Sequence, residues 1–280
     1  RMGNKKVPFF ATDRPPSMAA LQRMALSFSG GGLIAAAYHL GVFQGLSRSN
    51  LRGTKPQNFD PQTAPLVGAS AGALVAAVLG AGVQFDDAVS SLDHIIRTVR
   101  TKGGPPYCDL LRLVRPELEE ILPEDAHERC RARGTIIFLT DVSSRPWQPI
   151  ALGHWDSRDA LIESILVSSY IPGLTSRASP AGGGLLIDGG FRSNFPLHPQ
   201  AARTVRVSPF SGELDICPEP AMADKPPHRV MLPSKVRLDV TSANASAIMR
   251  TLWPPKDEVW LQRELAKGFS DARRWLRQQI

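Results

Sequence analysis

Residues 67–75 read VGASAGALV and contain G-x-S-x-G with Ser70 at its centre. A serine in that motif becomes a nucleophile when it sits on a tight strand-to-helix turn, which lifts its hydroxyl out of the backbone. The following helix N-terminus then aims unpaired N–H groups and the positive end of its dipole at the same place. The competing reading is that small residues line any buried turn of this kind, and the motif alone leaves both open. Two more sites carry chemistry. Residues 27–32, SFSGGG, are again strand and glycine turn, and the backbone N–H groups of Gly31 and Gly32 could hold an oxyanion at a helix start. Asp188 ends the apolar run LLID and is followed by two glycines. A lone Asp there is usually a turn former. In open α/β sheets, however, functional residues gather at the carboxyl ends of strands. A serine, a carboxylate and oxyanion donors at one sheet edge suit acyl transfer, and their coincidence raises each above its bland reading.

The elements that must position these residues follow from pattern. MALSFS (24–29) is a short strand, and a helix runs through AAAYHLGVFQGLSRS. APLVG is a second strand, and the apolar ASAGALVAAVLGAG is a helix ending at the glycines 80 and 82. Residues 85–100 place Val89, Leu92, Ile96 and Val99 at helical spacing. One or two short helices follow around 116–130. GTIIFLTDV is a buried strand with WQPIALGHW beside it. DSRDALIESILVSSY is a helix capped by Asp156 or Ser157. A strand ends at Asp188, and TVRVSP is the last clear strand, followed by proline-rich coil from 218 to 233. Near the C-terminus Leu261, Leu265, Phe269, Ala272 and Leu276 form one stripe of an amphipathic helix expected to dock on the body. Strands alternating with helices predict a three-layer α/β/α fold with a largely parallel central sheet. The division expected is a tail or linker at 1–23, the α/β domain at 24–207 and a C-terminal extension at 208–280.

Several other chemistries are excluded or disfavoured. A dinucleotide fingerprint fails at its third glycine, where Ala35 stands, and the first acidic residue after it that could hold a ribose is Asp60, in a loop. The Gly-Lys-Ser/Thr of a phosphate-binding loop is missing. A Ser–Asp–His triad would use Ser70, Asp188 and either His198 or His228. Against it, Ser70 follows only the second strand, and His198 lies between prolines. His39, His94, His127 and His154 read as structural. The 280 residues are 42% apolar, ample for a core, and the net charge of +7 fits acidic partners such as phospholipid headgroups. With no run of five Lys/Arg and no zinc spacing, nucleic acid is not expected as a partner. Three widely spaced cysteines, Cys108, Cys130 and Cys217, argue for a reducing compartment. The uncharged stretch 61–85 is better explained by a buried strand and helix than by a membrane span. Arg1 in place of a starting Met points to a fragment or a processed form, so the MGNKKV string is not taken as a lipidation signal.

The order GGG, then GASAG, then DGG resembles the patatin-like phospholipase family. Within it, LIDGGFRSNFPL and VSPFSGELDICP resemble the subgroup of adipose triglyceride lipase and adiponutrin. The resemblance runs from about residue 24 to the C-terminus. It departs from the family at Ile34 and Ala35, where many relatives carry a basic residue and a glycine. It implies a hydrolase of lipid acyl esters, triacylglycerol first and phospholipid next, in which Ser70 attacks, Asp188 is the base and Gly30, Gly31 and Gly32 form the oxyanion loop. An acyltransferase on the same fold is the alternative, and a lipid-binding pseudoenzyme is the reading of another class. No metal or organic cofactor is implied. The implied setting is cytoplasmic, peripheral to a membrane or lipid-droplet surface, with an activator protein as a possible partner.

Overall fold

The computed structural model describes residues 24–48, 59–101, 109–180, 185–219, 228–252, 257 and 259–279. The expected tail at 1–23 and Cys108 lie outside them. β1 (Met24–Phe28) is buried along its whole length, as its apolar run requires of an interior strand. It pairs in parallel with β2 (Leu66–Ala69) on one side and with β6 (Arg203–Val207) on the other. β2 pairs in parallel with β3 (Ile136–Asp141), with Val67 opposite Ile136 and Ala69 opposite Phe138. β4 (Gln148–Leu152) lies antiparallel along the outer edge of β3. The mostly parallel sheet, flanked by helices in three layers, is the architecture the alternating pattern predicts.

The inner edge of β3 is shared. β2 occupies its first half and stops at Ala69. β5 (Leu186–Asp188) comes in from the opposite direction and takes the second half, with Asp188 opposite Leu139. β2 and β5 thus meet end to end along one neighbour. β5 is antiparallel to β3, so Asp188 does not end a strand of the parallel set, as the expectation had it. It reaches the same place from the other side.

Two helices follow the glycine and serine turns. α1 (Gly32–Ser47) and α2 (Ala71–Gly80) are buried on nearly every face, which explains why both are rich in Ala, Leu and Val rather than amphipathic. α3 (Phe85–Thr101) presents Leu92, Ile95, Ile96 and Val99 to the core, and α4 (Leu110–Ile121) packs beside it. α5 (Ala126–Arg133) leads into β3. α6 (Arg158–Ser168) is capped by Ser157, whose hydroxyl accepts the Ala160 N–H at 3.1 Å. The single turn α7 (Gly190–Ser193) follows Asp188.

The C-terminal part departs from expectation. β6 is not the last strand: β7 (Arg229–Met231), inside the segment read as coil, pairs with β8 (Arg237–Asp239) in a hairpin. α8 (Ser242–Leu252) follows, its first turn capped by Thr241 Oγ1, which accepts the Asn244 N–H at 3.0 Å. α9 (Trp260–Arg277) packs along α1, as the amphipathic stripe implied. Leu261, Leu265, Ala272 and Leu276 are buried there, joined by Trp260 and Trp275, while Phe269 stays at the margin under the Arg273 guanidinium. The Tyr38 hydroxyl donates to Asp271 at 2.7 Å across this contact. Among the described residues no helix is long and apolar enough to cross a membrane.

Candidate active site

Ser70 joins β2 to α2 with φ 56° and ψ −129°. A positive φ in a residue with a Cβ costs about 1–3 kcal/mol and persists only where surroundings hold it. Here the Ser70 N–H donates to Ser168 Oγ at 2.9 Å, and the Ser168 hydroxyl donates to the Phe138 carbonyl at 2.7 Å. The Ser70 carbonyl accepts the N–H groups of Ala73 and Leu74. The turn is therefore fastened on both sides, to the end of α6 and into the helix it starts.

Asp188 is held by its own backbone. Its N–H donates to the Tyr170 carbonyl at 2.9 Å, and its carbonyl accepts the Thr140 hydroxyl at 2.8 Å. Gly189 comes next and donates to the Ser168 carbonyl at 3.1 Å. A Cβ at Gly189 would run into the Phe138 carbonyl, so the chain passes this junction of β2, β3 and β5 only as glycine. Asp188 Oδ1 accepts the Gly190 N–H at 2.7 Å, and the Ser70 hydroxyl lies near enough to the same carboxyl to favour its charged form. The group is almost fully buried, and burial pushes its pKa up to about 6, partly offset by the nearby Ser70 hydroxyl and the Gly190 N–H.

The glycine turn ends β1. Gly31 has φ 141° and Gly32 φ 61°, backbone that disfavours any Cβ. The Gly30 N–H is taken, donating to Asn194 Oδ1 at 2.8 Å. The N–H groups of Gly31 and Gly32 find no acceptor among the described residues. All three glycines, Ser70 and Asp188 line one cavity of about 340 Å³. Away from this polar corner its walls are apolar, with Leu74, Leu92, Ile95, Val114, Phe191 and Phe210 among the lining. The five residues singled out in the sequence are thus brought together.

The histidines weighed for a triad are not. His198 Nε2 lies 2.9 Å from the Gly134 carbonyl, just before β3, while Ser70 is past the far end of β2. Gly134 lies beside Pro65, so about five residues of strand, roughly 16 Å, separate the two places. His228 is exposed at the start of the hairpin. No histidine is among the residues lining the cavity.

Ser168 and Asn194 were not foreseen. Ser168 lies 98 positions from Ser70 and Asn194 164 from Gly30, and nothing local marks either. Asn194 falls inside LIDGGFRSNFPL, so its nearness to Asp188 was its one visible signal.

A family model described as patatin-like phospholipase matches residues 26–200. Over 257 residues, the chain is 34% identical to patatin-like phospholipase domain-containing protein 2 of Mus musculus, covering 90% of this chain and 50% of that protein. It is 28% identical to a 1-acylglycerol-3-phosphate O-acyltransferase of Mus musculus, covering 91% of this chain and 59% of the relative. An omega-hydroxyceramide transacylase of Homo sapiens is also 28% identical, with 90% and 46% covered. The chain spans about half the length of the curated relatives it matches first. With the serine turn, the buried aspartate and the glycine turn all inside the matched span, the chain belongs to the patatin-like phospholipase family.

Proposed function

We propose that this protein is a lipid acyl hydrolase working through a Ser70–Asp188 dyad and an acyl-Ser70 intermediate. The observation that carries the reading is the convergence of Ser70, a buried Asp188 carboxyl and the glycine turn on one apolar cavity, with the Ser70 hydroxyl near enough to that carboxyl to favour its charged form and no histidine in the lining. Asp188 takes the hydroxyl proton as Ser70 Oγ attacks the ester carbonyl. A carboxylate with a pKa near 6 is a better base than an ordinary aspartate and is still ionised at neutral pH. The Gly31 and Gly32 N–H groups receive the oxyanion, each donor worth about 3–4 kcal/mol in such sites. Collapse expels the alcohol, which leaves with the proton from Asp188. Water then attacks the acyl-serine with Asp188 again as base, and the fatty acid departs.

The apolar cavity suits a long acyl chain, and triacylglycerol is the substrate favoured, with phospholipid next. Phe191, exposed and in the cavity lining, suits contact with a lipid surface. Transfer of the acyl group to an alcohol instead of water is the second reading, because two relatives are named for acyl transfer and the pocket offers water few polar partners. The test presents purified protein with mixed neutral lipids and phospholipids, with and without an alcohol acceptor and with no added protein. Ser70→Ala and Asp188→Asn are the controls. Free fatty acid from triacylglycerol, absent in both variants, supports the proposal. Unchanged activity in Ser70→Ala overturns it.

A further inference from the structure

We infer that Ser29, His39 and Asn194 are positioning residues that lock the two peptide planes carrying the oxyanion donor. The inference rests on the acyl-transfer reading above and extends it to residues that touch no substrate.

The first plane joins Ser29 to Gly30. Its carbonyl lies 2.8 Å from His39 Nε2, and its N–H donates to Asn194 Oδ1 at 2.8 Å. Both ends are held by side chains, one from α1 and one from beyond α7. The second plane joins Gly30 to Gly31. Its carbonyl accepts the Ser29 hydroxyl at 3.0 Å, while its N–H, that of Gly31, has no acceptor among the described residues. Three side chains thus fix three of the four polar ends of two successive peptides and leave the fourth to the cavity.

That arrangement matters because glycine backbone is the least restrained of any residue. A run of three glycines would sample many orientations of its N–H groups. A donor that must reorient in the transition state loses the advantage of preorganisation. Nothing in the glycines supplies the restraint, so it must come from outside the turn.

His39 is built for the part. It is fully buried, and the carbonyl facing Nε2 has no proton to give, so Nε2 must carry the hydrogen. Its Nδ1 is then an unprotonated acceptor, buried and without a partner among the described residues. Leaving such an atom unpaired is costly, so the ring is not explained by packing alone. Burial holds the imidazole neutral, with its pKa pushed down to about 4, so the donor persists unchanged across the working range. Tilted contact with the Phe28 ring, centroids 5.1 Å apart, sets its plane.

The test measures acylation of the protein by a short-chain p-nitrophenyl ester under burst conditions, with active sites counted by a fluorophosphonate. The variants are Ser29→Ala, Asn194→Ala, His39→Leu and His39→Gln, with Ser70→Ala as control. Losing one lock should lower the acylation rate per active site roughly 10- to 100-fold, less than the loss of a donor itself, with KM within about twofold. His39→Gln, whose amide N–H₂ can reach the same carbonyl, should recover most of the loss seen in His39→Leu. Ser29→Ala with Asn194→Ala should cost less than the product of the two single effects, because both act through one donor. A purely structural role predicts fewer active sites and a lower melting temperature but a full rate per site. That result in Ser29→Ala and Asn194→Ala overturns the inference even if His39→Leu fails to fold. If Ser70→Ala itself acylates normally, the acyl-serine reading fails instead, so the two failures are distinguishable.

Discussion

Replacing Asp188 with Asn should make the protein inactive and, above about pH 6, more stable. An Asn side chain can still accept the Gly190 N–H and face the Ser70 hydroxyl, so the local geometry survives. What changes is the charge. The native pKa of Asp188 is raised from 3.8 to about 6, so between those values the folded protein holds a proton that the unfolded chain has released. Stability from this group is therefore fully present below pH 4 and is lost as pH rises to about 6. A shift of about two units corresponds to about 3 kcal/mol. Asn carries no such proton. The stability of Asp188→Asn relative to the parent should thus grow by about 3 kcal/mol between pH 4 and pH 7 and then level off. Urea unfolding of both proteins at matched pH values measures it, because every other titrating group cancels in the difference. The same ionisation should give kcat/KM of the parent an acid limb near pH 6. A stability difference that does not change with pH would refute the argument from burial. An activity that persists well below pH 5 would remove Asp188 as the base.

Ser70→Ala should fold normally and lose hydrolysis by several orders of magnitude, read by esterase assay and circular dichroism together. Gly31→Ala places a Cβ 3.0 Å from that of Ala35 at φ 141°, and should lower kcat about 10²–10³-fold with little effect on lipid binding. His198→Asn and His228→Asn, alone or together, should keep most activity in the same assay, since neither reaches the cavity. Tyr38→Phe removes a buried hydrogen bond to Asp271 and should lower stability by about 2 kcal/mol while leaving kcat unchanged. A larger loss of activity than of stability in Tyr38→Phe would mean that the α1–α9 contact reaches the site.

Ser70, the glycine turn and Asp188 were legible because each belongs to a short run whose pattern speaks for itself. An apolar strand, a small-residue turn and an apolar helix are local signals, and three of them in one chain restrict the chemistry. The helices were equally visible where one face is apolar, as in α3 and α9. Local pattern fades where elements are short and solvated. β7 and β8 have three residues each, β7 is exposed throughout, and the prolines nearby read as coil. α8 is small and polar, although Thr241 three positions before Asn244 is a capping signal that could have been read.

The amino-acid sequence by itself determined the long apolar and amphipathic elements and the residues that stand at the ends of β1, β2 and β5. It could not determine that β5 runs antiparallel to β3 and meets β2 end to end, because strand direction is set by pairing partners that local propensity does not encode. The tertiary structure alone decided that Asp188 reaches Ser70, that Ser168 fastens the elbow and that His39 and Asn194 hold the glycine turn. The physical reason is range. Hydrophobic periodicity acts over one or two turns of chain, whereas a hydrogen bond between positions 164 apart exists only once the packed core has brought them together.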